Sequence, residues 1–150
     1  MFNLFKKKNT QPNLKSTPEL INFQKSFTED QKAAMIYSLM LMVASEGSYG
    51  IKKFNYMTQQ AELLNVDLEG KSMSVYQGKN ADYAYSIIKT LSESQKDFYC
   101  VLLGNIMQLN GNPTQNEIKL ADRILTEVGI SEEKFTNAII KTHTLMEKFK

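Results

Sequence analysis

The chain of 150 residues has one histidine and one cysteine, and their settings do not suggest that they work together. His143 lies in the polar stretch Thr142-His143-Thr144, and Cys100 sits inside the apolar run Phe98 to Leu103. Nucleophilic catalysis needs a nucleophile and a base in contact, with a third group to orient the base. A solvated histidine and a buried thiol are the simpler expectation. Hard oxygen donors come closer to forming a set. Glu46, Asn110, Asn112 and Glu117 cluster around Gly47 and Gly111 in the sequence, and Glu46, Asn110 and Glu117 are the candidate ligands for a divalent cation. Calcium takes about six to eight oxygens, so this group is short of ligands. GxGxxG, Gly-Lys-Ser/Thr, HExxH and CxxC motifs are all missing. The remaining carboxylates are scattered rather than paired in apolar surroundings. The chain therefore reads as no enzyme, with no catalytic residue and no cofactor beyond a divalent cation.

The elements that must position these groups are helical throughout, since no run alternates at period two. Thr28-x-x-Gln31 and Ser92-x-x-Gln95 are capping boxes, in which the hydroxyl accepts a first-turn N–H and the glutamine side chain returns to the cap. Two helices follow, over about 29–46 and 93–110. The first is apolar nearly all round, from Ala33 to Ala44, and the second almost so, from Phe98 to Leu109. Both belong at the centre of the fold. Gly47 and Gly111 end them, and Ser48 and Asn112 cap the next helices, about 49–65 and 113–128, with Pro113 in a first turn. Those two are amphipathic, with inward stripes at Phe54, Met57, Ala61, Leu64 and at Ile118, Ala121, Leu125, Val128. A helical turn and loop lead to a helix capped by Asn80, carrying Ala84, Ile87, Ile88 and Leu91. Ser131 opens the last helix, which carries Phe135, Ala138, Ile139, Leu145 and Met146.

This pattern runs twice. Residues 27–66 align without a gap on residues 91–130 at an offset of 64, with identities at Glu29/Glu93, Gln31/Gln95, Lys32/Lys96, Leu39/Leu103 and Gly47/Gly111. Apolar positions nearly always meet apolar ones. The expected architecture is all-α, with about seven helices in two pseudo-symmetric repeats around two buried central helices. Residues 1–16 form a flexible basic tail, and residues 17–150 form one domain that begins with Thr17-Pro18 as a helix entry and lays Leu20, Ile21 and Phe23 on the body.

An apolar helix ending in a small residue, an acid and Gly, followed by an amphipathic helix ending in Leu-Leu-Asn-Val or Val-Gly-Ile, resembles the TerB-like domain of tellurite-resistance proteins. The resemblance covers about residues 27–150. It implies an all-helical fold of two pseudo-symmetric halves and a surface of carboxylates at the helix junctions that can take a divalent metal. The family's acidic position before the Gly falls on Glu46 and on Asn110. The next helix keeps one acid, Glu117, in the second unit and none across Ser48 to Lys53 in the first.

Charge bounds the partners. Residues 1–26 hold five lysines against Glu19, a charge of +4, and the remaining 13 basic and 15 acidic residues give −2. A nucleic-acid-binding domain carries its basic stripe on the folded part, so nucleic acid is not the expected partner. A lone cysteine suits a reducing cytoplasm. No apolar stretch reaches about 18 residues, so no membrane span is expected. Residues 1–8, with Phe2, Leu4 and Phe5 before three lysines, offer at most weak peripheral contact with an anionic membrane. The leading expectation is a scaffold module that contacts a protein partner through exposed Tyr49, Lys52 and Lys53, and the resemblance implies a stress- or envelope-associated complex. A divalent-ion binder is the first alternative. A lipid or acyl-chain binder lined by Met35, Met40, Met42, Met57 and Met107 is the second.

Overall fold

The computed structural model describes residues 25–45, 50–78, 80–109 and 111–147, with side chains as far as residue 140. Among these residues there are seven helices and no strand. They are α1 (Glu29–Ala44), α2 (Gly50–Leu63), α3 (Lys71–Ser74), α4 (Ala81–Ile88), α5 (Glu93–Met107), α6 (Gln115–Val128) and α7 (Glu132–Glu147).

Both capping boxes form. The Gln31 N–H donates to Thr28 Oγ1 at 3.0 Å, and the Thr28 N–H donates to Gln31 Oε1 at 2.9 Å. Ser92 and Gln95 make the same pair of bonds. Each glutamine then uses its amide nitrogen across the molecule. Gln31 Nε2 donates to Thr90 Oγ1 at 3.1 Å, and Gln95 Nε2 donates to the Ser26 carbonyl at 3.0 Å. One residue type thus starts each central helix and ties that start to the segment preceding the other.

The start of α6 differs from the expectation. Its cap is Thr114, two residues beyond Asn112, in a box of the same type with Glu117 at the third helical position. The ends of the central helices also come early. Ser45 caps α1 at its C-terminus, and α5 stops at Met107 with Gln108 as cap. Gly111 lies beyond that end at φ 100°, with its N–H donating to the Gln108 carbonyl. Among the described residues, Gly129 caps a helix C-terminus, left-handed at φ 76°, after α6.

The expected centre is the observed one. Ala33, Ala34, Met35, Ile36, Leu39 and Met42 of α1 are buried, as are Tyr99, Cys100, Leu102, Leu103 and Ile106 of α5. α1 packs against α2 through α6, and α5 packs against α1, α2, α6 and α7. Burying these side chains supplies the main driving force for the fold. α7 lies close on α5 because Gly104 has no side chain: a Cβ there would stand 2.5 Å from Ile139 Cδ1. Between α1 and α5 one polar link crosses the core, where the Tyr99 hydroxyl donates to Ser38 Oγ at 2.8 Å and Ser38 donates on to the Met35 carbonyl.

The methionines fill the core rather than lining a groove. Met35, Met42 and Met57 are buried and Met107 is packed against the core, while Met40 is exposed. Tyr76, between α3 and α4, stacks on Tyr37 of α1 with ring centroids 4.3 Å apart, and Tyr85 of α4 is buried. The expectations for residues 1–24, for Glu46, Gly47, Ser48 and Tyr49, for Asn110, and for the side chains of His143, Leu145 and Met146 lie outside the described residues.

Candidate functional site

α2 has its faces assigned differently from the sequence reading. The first turns read Gly50-Ile51-Lys52-Lys53-Phe54, and the expectation put Phe54 inward and Lys53 outward. In the structure Lys53 is fully buried, while Ile51 is 72% and Phe54 50% exposed. The inward stripe is Lys53, Tyr56, Met57, Gln60, Ala61 and Leu64, which is helical spacing begun one residue earlier. α6 shows the same shift: Glu117, Ala121, Ile124, Leu125 and Val128 are buried, and Ile118 is 37% exposed.

The physical reason is the partner that Lys53 finds. Its ammonium donates to Glu117 Oε2 in a buried ion pair, with side-chain exposures of 0% and 3%. An isolated ammonium at that depth would carry a desolvation penalty of several kcal/mol, which a close carboxylate offsets. Glu117 is held for this role by its own helix. Its Oε1 accepts the Thr114 N–H at 2.9 Å, and its N–H donates to Thr114 Oγ1 at 3.2 Å. Lys53 and Glu117 are 64 residues apart, so the pair joins two positions that the sequence offset aligns. The ion pair thereby links the first turns of α2 and α6 through their side chains.

A second polar feature lies next to this pair in α2 and on the facing α5. The Tyr56 phenol and the Asn105 amide are buried against one another. Burial pushes the phenol well above its ordinary range and the Asn105 contact pulls it back. Neither the Tyr56 hydroxyl nor Asn105 Nδ2 completes a hydrogen bond of good geometry.

Lys53 is removed from the contact surface by its burial. Lys52 stays exposed, and Tyr49 lies outside the described residues. Of the candidate metal ligands, Glu46 and Asn110 lie outside them as well. Glu117 does not fit the role, because one oxygen caps α6 and the other faces an ammonium that would repel a cation. Among the described residues no group of three or more His, Cys, Asp or Glu side chains is placed to hold a metal ion. Cys100 is buried in α5, and burial, with Asp97 adding to it, pushes its thiol up to about 12. That state is unreactive at neutral pH. No described helix is long and apolar enough to cross a membrane.

Open hollows lie on the described surface. One, of about 350 Å³, is lined by Asp97, Ser131, Glu133, Lys134, Asn137 and Ala138. In it Lys134 bridges Glu93 at 2.7 Å and Asp97 at 3.1 Å, which ties α7 to α5. The other, of about 470 Å³, lies around the end of α2 between Thr58 and Glu69. Neither brings a nucleophile and a base together.

Sequence reasoning missed the Ile51–Phe54 face and the Lys53–Glu117 pair. The signals for them were present. Opposite charges occupy aligned positions in two units whose other matches are mostly apolar, and Thr114-x-x-Glu117 is a capping box in plain sequence. Compared with known family models, curated proteins and solved structures, the chain finds no match.

Proposed function

We propose that this protein is a non-enzymatic helical interaction module that binds a protein partner through the exposed side of the first turns of α2. The observation that carries the reading is the reversed polarity of that helix: Ile51 and Phe54 face solvent while Lys53, next to Phe54, is buried. Ile51 and Phe54 are three residues apart, so they share one face. Scattered exposed apolar residues are ordinary, but adjacent ones on a pinned helix mark a contact surface. The buried ion pair fixes the rotation of α2, so the apolar face is presented in one orientation and binding pays little ordering entropy. The unreactive thiol of Cys100 and the commitment of Glu117 to Lys53 weigh for binding over catalysis and over metal capture. Under this reading the TerB-like resemblance, a cytoplasmic setting and a stress- or envelope-associated complex remain part of the proposal.

The test is purification of the tagged full chain from its native cells beside the double variant Ile51→Asp, Phe54→Asp. The reading expects a stoichiometric protein partner with the parent chain, its loss from the variant, and an unchanged melting temperature. Equal partner recovery by both chains would count against this face.

A further inference from the structure

The exposed side of α2 runs from an apolar start to an acidic end. Phe54, Thr58 and Ala61 follow one another at helical spacing, so they form one stripe along the helix. Thr58 and Ala61 line the open hollow of about 470 Å³, so the half-exposed ring of Phe54 adjoins that hollow on the same side. Glu62, Asp67 and Glu69 line it as well, beside Val66 and Leu68, and among the described lining residues there is no base. Counting Lys71 just beyond, residues 62–71 hold three acids and one base, a net charge of −2. The last turn of α2 has no basic residue to meet its negative end. Lys52 is exposed, but at 100° per residue it stands about 160° round the helix from Phe54, on another side. From Phe54 to Glu62 is eight residues, or about 12 Å.

One segment of this chain carries the complementary order. Phe2, Leu4 and Phe5 precede Lys6, Lys7 and Lys8, and Leu4 to Lys8 is at most about 14 Å of chain. Residues 9–24 separate this segment from Lys25, where the described chain begins, and sixteen residues can span up to about 55 Å. α1, at 16 residues, is about 24 Å long. α2 runs back along it: a Cβ on Gly50 would stand 3.2 Å from the Val43 carbonyl oxygen near the end of α1, and Tyr76, past the end of α2, stacks on Tyr37 earlier in α1. The acidic hollow therefore lies toward the end of α1 at which the described chain begins, and Phe54 lies toward the other end. A segment arriving from Lys25 meets the hollow with its lysines and Phe54 with its apolar residues.

We propose that residues 2–8 dock on this face of their own chain, with Phe2, Leu4 and Phe5 against Ile51 and Phe54 and with Lys6, Lys7 and Lys8 at the hollow. Because the contact is intramolecular, an effective concentration on the order of millimolar lets a short segment hold the face. A protein partner of the same face has to displace it, and that consequence alone rests on the interaction-module reading.

The experiment places a nitroxide on Asn3→Cys in the isotope-labelled full chain, with Cys100→Ala so that the label has one site. The proposal expects the amides of Ile51 to Thr58 and of Glu62 to Glu69 to lose signal while those of Glu132 to Ala138 keep theirs. The loss should be reversed by Lys6→Glu, Lys7→Glu and Lys8→Glu together, and by about 1 M salt, where screening acts within about 3 Å. The same amides should shift between the parent chain and the triple lysine variant, a comparison that leaves Cys100 untouched. Signal loss spread over the whole chain, or none, overturns the proposal. Loss that survives the charge reversal overturns the pairing of lysines with the hollow. Loss that appears when the labelled amides and the nitroxide are on different molecules assigns the segment to a second copy and overturns docking within one chain. Partner recovery by the Ile51→Asp, Phe54→Asp variant decides the interaction-module reading separately.

Discussion

Lys53 of α2 and Glu117 of α6 form an ion pair sealed from solvent, and the carboxylate that receives the lysine also caps its own helix through Thr114. This one contact sets the rotation of both helices. It places an ammonium where the pattern of α2 calls for an apolar residue, and it turns Phe54 and Ile118 outward.

Removing one partner of the pair leaves a buried charge alone. Lys53→Met and Glu117→Gln are each expected to lower stability by about 3–5 kcal/mol. The double variant should recover part of that loss, because neither charge is then stranded. A double-mutant cycle by urea unfolding measures the coupling. Strictly additive losses would show that the pair does not act as a unit.

The exposed apolar face should be dispensable for folding. Ile51→Ser and Phe54→Ser are expected to change stability by no more than about 0.5 kcal/mol, as surface substitutions do. Met57→Ala, on the buried side of the same helix, should cost about 2–5 kcal/mol. Thermal unfolding of the three variants separates the two sides of α2.

The capping boxes of the two central helices should be nearly equivalent. Thr28→Ala and Ser92→Ala each remove the oxygen that accepts a first-turn N–H, and each is expected to cost about 1 kcal/mol. Gln95→Ala should cost more than Ser92→Ala, since it also removes the bond to the Ser26 carbonyl. Chemical denaturation of the set reads this order.

Alkaline pH should weaken the fold. Burial raises the thiol of Cys100 from 9.0 and the phenol of Tyr76 from 10.0, each to about 12, and raises Tyr56 and Tyr99 as well. A group whose folded pKa lies above its unfolded value contributes stability that is complete below the unfolded value and is lost as pH rises toward the folded one. The melting temperature is therefore expected to hold up to about pH 9 and to fall between about pH 9 and 12. Native Cys100 should stay unreactive to a thiol reagent at pH 8 and react after denaturant is added. Rapid labelling of the native chain would contradict its burial.

The sequence made the class of the fold legible because its strongest signals are local. Capping boxes at Thr28 and Ser92 and the unbroken apolar runs of α1 and α5 each depend on neighbours in the chain. The helix-start signal failed at Asn112-Pro113, where Thr114 competes two residues later and wins through Glu117. The candidate site was much less legible. Apolar periodicity in α2 admits two stripes one residue apart, beginning at Lys53 or at Phe54. Hydropathy favours Phe54. The choice is made by a carboxylate 64 residues away, which a local pattern does not contain. Tertiary pairing here overrides residue-by-residue preference, and it does so at the surface proposed for binding.

The most direct measurement is photo-cross-linking in native cells, with a photoreactive phenylalanine placed at Phe54 and, as control, at exposed Gln59 on another side of α2. The account predicts a discrete protein adduct from position 54, its loss when Ile51→Asp is added, and none from position 59. Adducts of equal yield from both positions, or none from position 54, would contradict the claim that the outward face of Ile51 and Phe54 is where this protein meets its partner.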